Sequence, residues 1–343
     1  MTRPDVTVPD LTVRGGGIFG LSIAWVACQR GAKVRLIETA QIGAGSSGGT
    51  VGALSPHVPE NWNPKKAFQL DSLLMAADFW AGVEAASNLP TGYARLGRVQ
   101  PVDSAGIELA QARGVTAQSL WQGLAHWRVR PRSGEWEPAS DYVIEDTLSA
   151  RLHPRLACAA LAEALRAQGA EVILGEAENI GPVIWATGAA GLMDLSHDLG
   201  RNIGGAVKGQ AISVRYDAAD LPQLFVDSIH IVPHIDGTVA IGSTSENSYE
   251  DPVSTDAQLD ALHARAIAAL PFLRDAPIVD RWAGLRPRAT TRAPLLGAWP
   301  NRAGHFVANG GFKIGFGMAP KVAQTMVDLV LEGYDTIPEG FRL

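Results

Sequence analysis

The fold is decided by the stretch Leu11-Thr12-Val13-Arg14-Gly15-Gly16-Gly17-Ile18-Phe19-Gly20. An apolar run to Arg30 follows this stretch, and the segment 33–38 then has the sequence Lys-Val-Arg-Leu-Ile-Glu. Short apolar runs on either side of a longer one predict a strand, a helix and a second strand, with the spacing G-x-G-x-x-G at the first turn. This arrangement is typical of proteins that bind a dinucleotide.

Each of the three spaced glycines has a physical role in such a turn. Gly15 permits the tight turn, Gly17 lets a pyrophosphate approach the backbone, and Gly20 lets the helix lie close to the strand. The first helical amides, at Ile18 and Phe19, then face the phosphates with the positive end of the helix dipole. The turn therefore predicts a phosphate-binding site. The alternative is a glycine-rich turn in a fold that binds no dinucleotide.

A carboxylate follows at the distance expected for a contact with ribose. Glu38 lies about 20 residues after the turn, where it can accept hydrogen bonds from a ribose 2′-hydroxyl. Because the same negative charge repels a 2′-phosphate, NADP is disfavoured. Thr39 comes directly after this acid. We therefore expect Glu38 and Thr39 to contact the nucleotide part of the cofactor.

The composition excludes one class of partner. The chain has 343 residues, of which 46% are hydrophobic and 19% are charged, and its formal net charge is −6. This length accommodates a large core and two domains, and the composition is that of an ordinary globular protein. A negative net charge without a run of Lys and Arg argues against a nucleic-acid partner.

The cysteines and the apolar runs indicate in which cellular compartment the protein is expected. Cys28 and Cys158 form no disulfide framework, which favours a reducing cytoplasm. No apolar run reaches the roughly 18 residues that a membrane span needs. The apolar segment 18–27 resembles a signal-peptide core, but the dinucleotide unit already explains it. We therefore expect a cytoplasmic protein without a membrane span.

Two further glycine-rich segments punctuate the chain. Segment 43–54 has the sequence Gly-Ala-Gly-Ser-Ser-Gly-Gly-Thr-Val-Gly-Ala-Leu, and its small residues let backbone pass close to something flat and bulky. Its alternative is a flexible surface loop. Segment 309–317, Asn-Gly-Gly-Phe-Lys-Ile-Gly-Phe-Gly, forms a third turn.

Hydrophobic periodicity predicts helices over 64–86, 105–113, 154–168, 256–270 and 319–331, strands over 171–174, 183–186 and 281–286, and a hairpin over 229–242.

These turns, in this order, resemble those of the FAD-dependent D-amino-acid oxidase superfamily, which includes glycine oxidase, sarcosine oxidase and D-amino-acid dehydrogenases. The resemblance spans nearly the whole chain. Its most specific part is Trp282-Ala283-Gly284-Leu285-Arg286-Pro287 followed by Pro294-Leu295-Leu296-Gly297, which is most similar to glycine oxidase. The turn Gly311-Phe312-Lys313 is more similar to that of sarcosine oxidase. The segments that carry the resemblance are 15–38, 43–56, 208–210 with 230–233, and 282–287 with 309–320.

The resemblance implies that FAD is bound by these turns. The first turn and Glu38 would hold the nucleotide, the serine–glycine run would lie along the flavin, and the last turn would lie beside the pyrimidine edge of the flavin. Backbone amides there can stabilise the negative charge of the reduced ring. The cofactor-binding residues that it implies are Gly15, Gly17, Ile18, Phe19, Gly20, Glu38, Thr39, Gly45, Ser46, Ser47, Gly49, Thr50, Val51, Gly52, Ala53, Leu54, Ala186, Thr187, Gly188, Gly209, Arg286, Gly310, Gly311, Phe312, Lys313, Ile314 and Gly315.

The resemblance also assigns three side chains to the substrate. Arg286 matches the family arginine that binds the substrate carboxylate, and a guanidinium fork suits a bidentate carboxylate. His230 occupies the strand position where some relatives place a carboxylate-binding tyrosine. Lys313 falls where relatives carry Lys or Arg near the substrate and the flavin. The alternatives are a structural or surface arginine at position 286 and a hydrogen-bonded structural histidine at position 230.

The chain departs from the family pattern at several positions. Histidine at position 230 replaces a tyrosine of the carboxylate clamp, and Gly311 replaces a histidine of the glycine oxidase pattern. The segment 174–183 is shorter than in the family, which would leave the adenine side more open. No cysteine follows Arg286, where sarcosine oxidases attach the flavin, so we expect non-covalent FAD. His57 is the alternative attachment point nearby.

The sequence and the resemblance together predict an α/β protein. We expect a Rossmann-like FAD-binding domain that is built from the discontinuous segments 1–62, 143–212 and 284–343. The segments 63–142 and 213–283 are expected to form a substrate-binding domain of α+β type with a mostly antiparallel sheet.

The function that follows is the FAD-dependent oxidation of a small amino acid or secondary amine of the glycine, sarcosine or D-amino-acid type. The bound carboxylate would aim the Cα–H at flavin N5, and hydride transfer would give an imine that water hydrolyses to an oxo acid. The electron acceptor would be O₂ or a carrier. Four alternatives stay open: an amino-acid dehydrogenase with a quinone or carrier acceptor, a 2-hydroxy-acid oxidase, a flavin-binding module without turnover, and a plain NAD dehydrogenase, which gives no role to the serine–glycine run or to the last glycine-rich turn.

No metal site is predicted. His230 and His234 lie four residues apart with Pro233 between them, and on an extended strand this spacing is roughly 13 Å, too long for one ion. The sequence leaves the identity of the substrate and the oligomeric state undetermined.

Overall fold

The computed structural model describes residues 8–343, so the first seven residues of the predicted segment 1–62 lie outside it. Its strands are β1 (Leu11–Arg14), β2 (Val34–Glu38), β3 (Ala53–Leu54), β4 (Arg98–Val102), β5 (Trp127–Pro131), β6 (Tyr142–Asp146), β7 (Ala150–Arg151), β8 (Glu171–Leu174), β9 (Val183–Trp185), β10 (Gly204–Arg215), β11 (Gln223–Val226), β12 (Ile229–Pro233), β13 (Thr238–Gly242), β14 (Ile278–Ala289), β15 (Leu295–Ala298) and β16 (His305–Asn309). Its α-helices are α1 (Ile18–Gln29), α2 (Pro64–Ser87), α3 (Ile107–Leu120), α4 (Pro154–Ala167), α5 (Gly188–Asp198), α6 (Ala257–Ala269) and α7 (Gly315–Glu332).

The first turn lies in a six-stranded sheet of order β15-β16-β9-β1-β2-β8. β1 pairs in parallel with β2 and β9, β2 pairs in parallel with β8, and β9 pairs in parallel with β16. Helices α1, α2, α4 and α7 share one hydrophobic core, to which each contributes buried apolar side chains such as Leu21, Leu73, Leu161 and Val322. The parallel order brings the carboxyl ends of β1, β2 and β9 to one edge, where the glycine-rich turn lies.

The second large sheet has eight strands in the order β14-β10-β13-β12-β11-β4-β6-β5. Its pairings are antiparallel except for the parallel pair β4–β11. Helix α6 covers one face, and Leu259 and Leu262 pack there with Ile212 and Ile241 in a second hydrophobic cluster. The edge strand β15 of the first sheet pairs antiparallel with β16. The predicted α/β class, with a mostly parallel dinucleotide-type sheet and a mostly antiparallel second sheet, is confirmed.

Two helices differ in extent from their predictions. Helix α3 continues past the predicted end at residue 113, because Gly114 lets it lie against β5: a Cβ at this position would be 2.6 Å from the carbonyl oxygen of Trp127. Helix α7 begins at Gly315 rather than at residue 319, and the amide of Met318 already donates to the carbonyl of Ile314 at 3.0 Å. Glycines suggest a loop locally, whereas close packing can require them inside a helix.

The division into two domains stays a proposal. Strand β6 and most of β10 fall in the predicted FAD-binding segment 143–212, yet both hydrogen-bond within the eight-stranded sheet. Strand β14 crosses the predicted boundary at residue 284. All three strands belong to the eight-stranded sheet, and residues of β10 and β14 line the cavity described below.

Candidate active site

The first glycine-rich turn is closed by contacts between main-chain atoms. Gly15 has a φ of +109°, and a Cβ there would be 2.4 Å from the carbonyl oxygen of Ala186. A Cβ at Gly20 would be 1.9 Å from the carbonyl oxygen of Gly15. No side chain fits at either position, because the opposing atoms belong to the backbone. The end of β1, the start of α1 and the end of β9 therefore meet at one point.

Hydrogen bonds within the protein hold the polar groups of this turn in place. The amide of Ile18 donates to Oγ of Ser47 at 3.0 Å, which ties the second glycine-rich segment to the start of α1. The carboxylate of Glu38 accepts hydrogen bonds from the amides of Gly16 at 2.7 Å and Ala40 at 2.9 Å. Glu38 is thus held at the end of β2, with its neighbour Thr39 exposed.

A cavity of about 350 Å³ opens next to this turn, and strands of the eight-stranded sheet line it together with the two further glycine-rich segments and the starts of helices α1, α4 and α7. Its walls include twelve of the predicted site residues: Ile18, Ser46, Ser47, Gly49, Thr50, Val51, Ala53, His230, Arg286, Phe312, Lys313 and Gly315. Seven lining residues were not predicted from the sequence: Pro154, Ala211, Phe225, Ser228, Ser243, Trp282 and Phe316. Trp282 and Phe316 stand inside segments that carried the family resemblance, which was a usable signal. Nothing local marked the other five.

The remaining predicted cofactor residues lie outside the cavity wall: Gly15, Gly17, Phe19, Gly20, Glu38, Thr39, Gly45, Gly52, Leu54, Ala186, Thr187, Gly188, Gly209, Gly310, Gly311 and Ile314. Several of them have other close neighbours. A Cβ at Gly52 would be 1.7 Å from the carbonyl oxygen of Leu152. Leu54 is buried in the core that α1 and α7 share. A Cβ at Gly311 would be 2.9 Å from Cζ of Phe19. For these residues a role in cofactor binding stays a prediction.

Arg286 is a buried cation on the cavity wall. Its residue is 8% exposed, and its Nη1 donates to the carbonyl oxygen of Thr244 at 3.1 Å. Within residues 8–343 its guanidinium forms no salt bridge. Burial lowers the pKa of Arg286 to about 10, while the charge of Glu246 acts in the opposite direction. The side chain is therefore cationic at neutral pH and keeps most of its donors for a ligand.

His230 and Lys313 flank the same cavity with different charges. The His230 ring packs on Phe225 with 4.8 Å between the centroids, and its Nδ1 has no partner among the described residues. Burial, and then the charges of Arg98 and Lys313, lower the pKa of His230 to about 3, so the imidazole is neutral. Lys313 is an exposed residue at the cavity mouth; partial burial, followed by the charge of Arg286, lowers its pKa.

His234 holds the second glycine-rich segment through a hydrogen bond to its backbone. It is 1% exposed, and its Nε2 lies 2.9 Å from the carbonyl oxygen of Thr50, to which it donates. Its ring centroid lies 4.7 Å from that of His153. Burial, followed by the charge of His153, lowers the pKa of His234 to about 4, and Asp236 acts in the opposite direction. The neutral imidazole therefore holds backbone that lines the cavity.

We expect this histidine to make the protein less stable in acid. The unfolded chain takes up a proton at His234 below about pH 6.5, and the folded protein excludes that proton until about pH 4. The free energy of unfolding should therefore fall as the pH drops below 6.5, by about 2 kcal/mol at about pH 5 from this residue. Chemical denaturation at a series of pH values measures the slope.

The matched variants are His234→Gln, which keeps a donor for Thr50 without titrating in this range, and His197→Gln, which alters an exposed histidine on α5. The first should make the slope below pH 6.5 smaller by the share of His234, since His230 and other buried histidines still contribute, and the second should leave the slope unchanged. Equal slopes in the His234→Gln variant and the unaltered protein would contradict the assignment.

The described part of the chain holds no group of three or more His, Cys, Asp and Glu side chains arranged for a metal ion. Within residues 8–343, no helix has the length and apolar character to cross a membrane. The two cysteines, Cys28 and Cys158, are both free thiols.

Together, the parallel sheet with its glycine-rich turn and the adjoining cationic cavity define a dinucleotide-binding protein with a pocket for an anionic ligand. A family model gives the class a more specific identity: the chain belongs to the FAD dependent oxidoreductase family named DAO, whose model matches residues 10–329. The predicted family, the FAD cofactor and the oxidoreductase class are thereby confirmed.

Similar proteins agree with this assignment. The chain is 27% identical over 349 residues to the bifunctional protein ThiO/ThiG of Trichormus variabilis. The alignment covers 94% of this chain and 53% of that protein. The chain therefore spans about half the length of that relative. It is 24% identical over 357 residues to the glycine oxidase of Bacillus licheniformis, covering 94% and 93% of the two chains. The crystal structure of iminodiacetate oxidase from Chelativorans has the same fold, with a TM-score of 0.83 at 20% identity over 97% and 98% of the two chains.

Proposed function

We propose that this protein oxidises a small amine that carries a carboxylate, such as glycine, sarcosine or a D-amino acid, and releases an imine that hydrolyses to an oxo acid. The observation that carries the proposal is the buried guanidinium of Arg286, which lines the cavity without a carboxylate partner in the described chain. A buried arginine without an anion is costly, and a substrate carboxylate supplies that anion. The names of the similar proteins, glycine oxidase and iminodiacetate oxidase, support the same substrate class.

The residues that would hold FAD are those of the three glycine-rich turns, with the pyrophosphate at the start of α1 and the ribose at Glu38. The two main-chain closures at Gly15 and Gly20 fix the turn, and the absence of a side chain at Gly17 lets phosphate oxygens approach the start of α1, where the amide of Ile18 donates to Oγ of Ser47. FAD bound in this way supplies the two-electron acceptor for the hydride from the substrate Cα. We propose that the binding is non-covalent.

The side chains of the cavity would orient the substrate. Arg286 binds the carboxylate through its fork, and Lys313 adds a positive charge at the mouth that attracts anions. His230 is neutral, so it contacts the substrate through hydrogen bonds at its ring nitrogens and adds no charge to the clamp. Phe225, Trp282 and Phe316 give the cavity apolar walls that limit the access of water.

The same cavity favours a neutral amine. No Asp or Glu is found among its lining residues, so it offers neither a counter-ion for an ammonium group nor a carboxylate base. Two cations nearby raise the free energy of a bound ammonium further, because like charges repel at short range in a partly buried site. We therefore propose that the substrate reacts as the amine, after its proton has gone to solvent.

The finer assignments complete this proposal. We place the reaction in the cytoplasm, in keeping with the two free thiols. O₂ or a carrier takes the electrons, and no nucleic acid takes part, in keeping with the net charge of −6.

The test is anaerobic reduction of the bound flavin by a panel of candidate substrates. Glycine, sarcosine and D-alanine should bleach the oxidised flavin spectrum, whereas methylamine, which lacks the carboxylate, should react at least ~100-fold more slowly, because it forgoes the charge-assisted hydrogen bonds to Arg286. Glycolate tests for oxidation of a 2-hydroxy acid. In air, peroxide release compared with dye reduction distinguishes an oxidase from a dehydrogenase.

Two outcomes would overturn the proposal. Bleaching by glycolate alone would make the protein a hydroxy-acid oxidase. A flavin that no member of the panel reduces, although dithionite reduces it, would leave a binding module without this activity.

A further inference from the structure

Two glycines face each other across the longest strand pair of the cavity wall. Gly209 of β10 pairs with Gly284 of β14 in the antiparallel register. Residues opposite one another in such a pair share a face of the sheet, and so do residues two apart on one strand. Trp282, Gly284 and Arg286 therefore lie on the face that carries Gly209, which leaves a patch of bare backbone between the two large side chains.

Both large side chains lie over this patch. A Cβ at Gly284 would be 2.5 Å from Cζ2 of Trp282. A Cβ at Gly209 would be 1.8 Å from Nη1 of Arg286 and 2.0 Å from both Cζ and Nη2. Non-bonded heavy atoms prefer separations of about 3.5–4.0 Å. The guanidinium therefore occupies the volume that any side chain at position 209 would need.

A short segment on the other side holds the guanidinium in place. Thr244 donates its amide to the carbonyl of Gln210 at 3.1 Å and accepts the Gln210 amide on Oγ1 at 2.8 Å. The backbones of Lys208 and Glu246 exchange hydrogen bonds of 3.0 and 2.9 Å. These bonds fix the carbonyl of Thr244, which is the acceptor for Arg286. Because this is the one hydrogen bond of the guanidinium in the described chain, its position depends on the free space over Gly209.

We propose that Gly209 is a positioning residue for the substrate carboxylate. Because Gly209 has no side chain, the guanidinium of Arg286 can lie directly over its backbone, and we call this space over Gly209 the guanidinium seat. That the ligand is a substrate carboxylate rests on the proposed function. The position of the guanidinium over Gly209 does not depend on that function. A role of Gly209 in contacting the cofactor is the competing interpretation. The atoms nearest to its Cβ position favour the seat, since all three belong to Arg286.

The test compares Gly209→Ala with Gly205→Ala. Gly205 lies on the same strand, and a Cβ there would meet no atom within 4 Å. The probe is acetate, with acetamide as its uncharged counterpart, and calorimetry on the FAD-loaded protein measures the dissociation constants. Gly209→Ala should weaken acetate binding at least ~30-fold, because the fork loses its alignment, and should keep the flavin content. Gly205→Ala should bind acetate as the unaltered protein does.

A double-mutant cycle separates positioning from general damage. In an Arg286→Ala background, the further change Gly209→Ala should alter acetate binding less than about 2-fold, because the side chain that it displaces is gone. An equal loss in both backgrounds would overturn the proposal. Loss of FAD from Gly209→Ala, with normal acetate binding in the molecules that retain it, would also overturn it in favour of the cofactor contact.

A crystal structure of Gly209→Ala needs no ligand and therefore stands apart from the proposed function. The guanidinium should move by at least about 1.5 Å to restore normal contact distances. A guanidinium that stays in place would overturn the seat even if amines reduce the flavin. Conversely, the guanidinium could be displaced in the Gly209→Ala crystal structure while no amine reduces the flavin of the unaltered protein. This pair of results would uphold the seat and reject the proposed substrate.

Discussion

Replacing Arg286 by Ala should lower kcat/KM for glycine or sarcosine by ~10²–10³, mainly through a higher KM. The guanidinium would make two charge-assisted hydrogen bonds to the carboxylate, each worth about 1.5–3 kcal/mol. The change should leave the fold intact, because Glu246, the acid whose charge acts on Arg286, already accepts a hydrogen bond from Nε2 of Gln210 at 3.0 Å and lies 3.8 Å from Nζ of Lys208. Steady-state kinetics with purified, FAD-loaded protein measure the effect.

Arg286→Lys is the matched control. It keeps the charge but loses the planar fork, so its loss of kcat/KM should be smaller, roughly 10-fold. Flavin content and thermal stability serve as checks that each variant folds and retains its cofactor. Amine oxidation with unchanged KM in Arg286→Ala would show that the carboxylate binds elsewhere, and that this arginine has a structural role.

Replacing Gly20 by Ala should leave the purified protein short of FAD. The added Cβ would be 1.9 Å from the carbonyl oxygen of Gly15, which is a backbone atom of the first glycine-rich turn. Helix α1 would have to move away from β1, and the turn would open with it. Strain of this kind costs about 1–3 kcal/mol, so the dissociation constant for FAD should rise by roughly 10- to 100-fold. Flavin absorbance after purification, followed by titration with FAD, measures it.

Gly82→Ala makes the same chemical change in another helix. A Cβ there would be 3.8 Å from Cζ2 of Trp25, an ordinary contact, so this variant should bind FAD normally. It should also gain up to about 1 kcal/mol of stability, since Ala is the better helix former. A Gly20→Ala protein that stays yellow with a full complement of FAD would refute the proposed steric role of Gly20.

The dinucleotide half of the site was predictable because its requirements are local. Gly15, Gly17 and Gly20 stand within one turn, and their spacing encodes the close approaches that the structure contains. Glu38 follows at the end of the next strand, where the amide of Gly16 donates to it. These relations need only a strand, a turn and a helix, and the sequence specifies all three.

The substrate half was predictable only in part. The family resemblance pointed to Arg286, His230 and Lys313, and all three line one cavity. Their electrostatic states could not be inferred from the sequence, because the pKa of His230 depends on burial by residues from several strands. Phe225 of β11 also lines the cavity, but the periodicity of a strand does not distinguish an apolar core residue from a cavity wall. Ser228 lies in the turn between β11 and β12, and nothing in its local sequence marks it.

By itself, the sequence determined the dinucleotide unit, the family and twelve of the residues that line the cavity. These follow from steric and chemical constraints between residues that are close in the chain or belong to a recognisable segment. Only the tertiary structure decided what Arg286 rests on and which acceptor it has, because Gly209 and Thr244 are distant in sequence and reach it through the pairing of β10 with β14 and with the segment after β13. The strand register brings these backbones together, and the guanidinium lies in the space that the missing side chain of Gly209 leaves open.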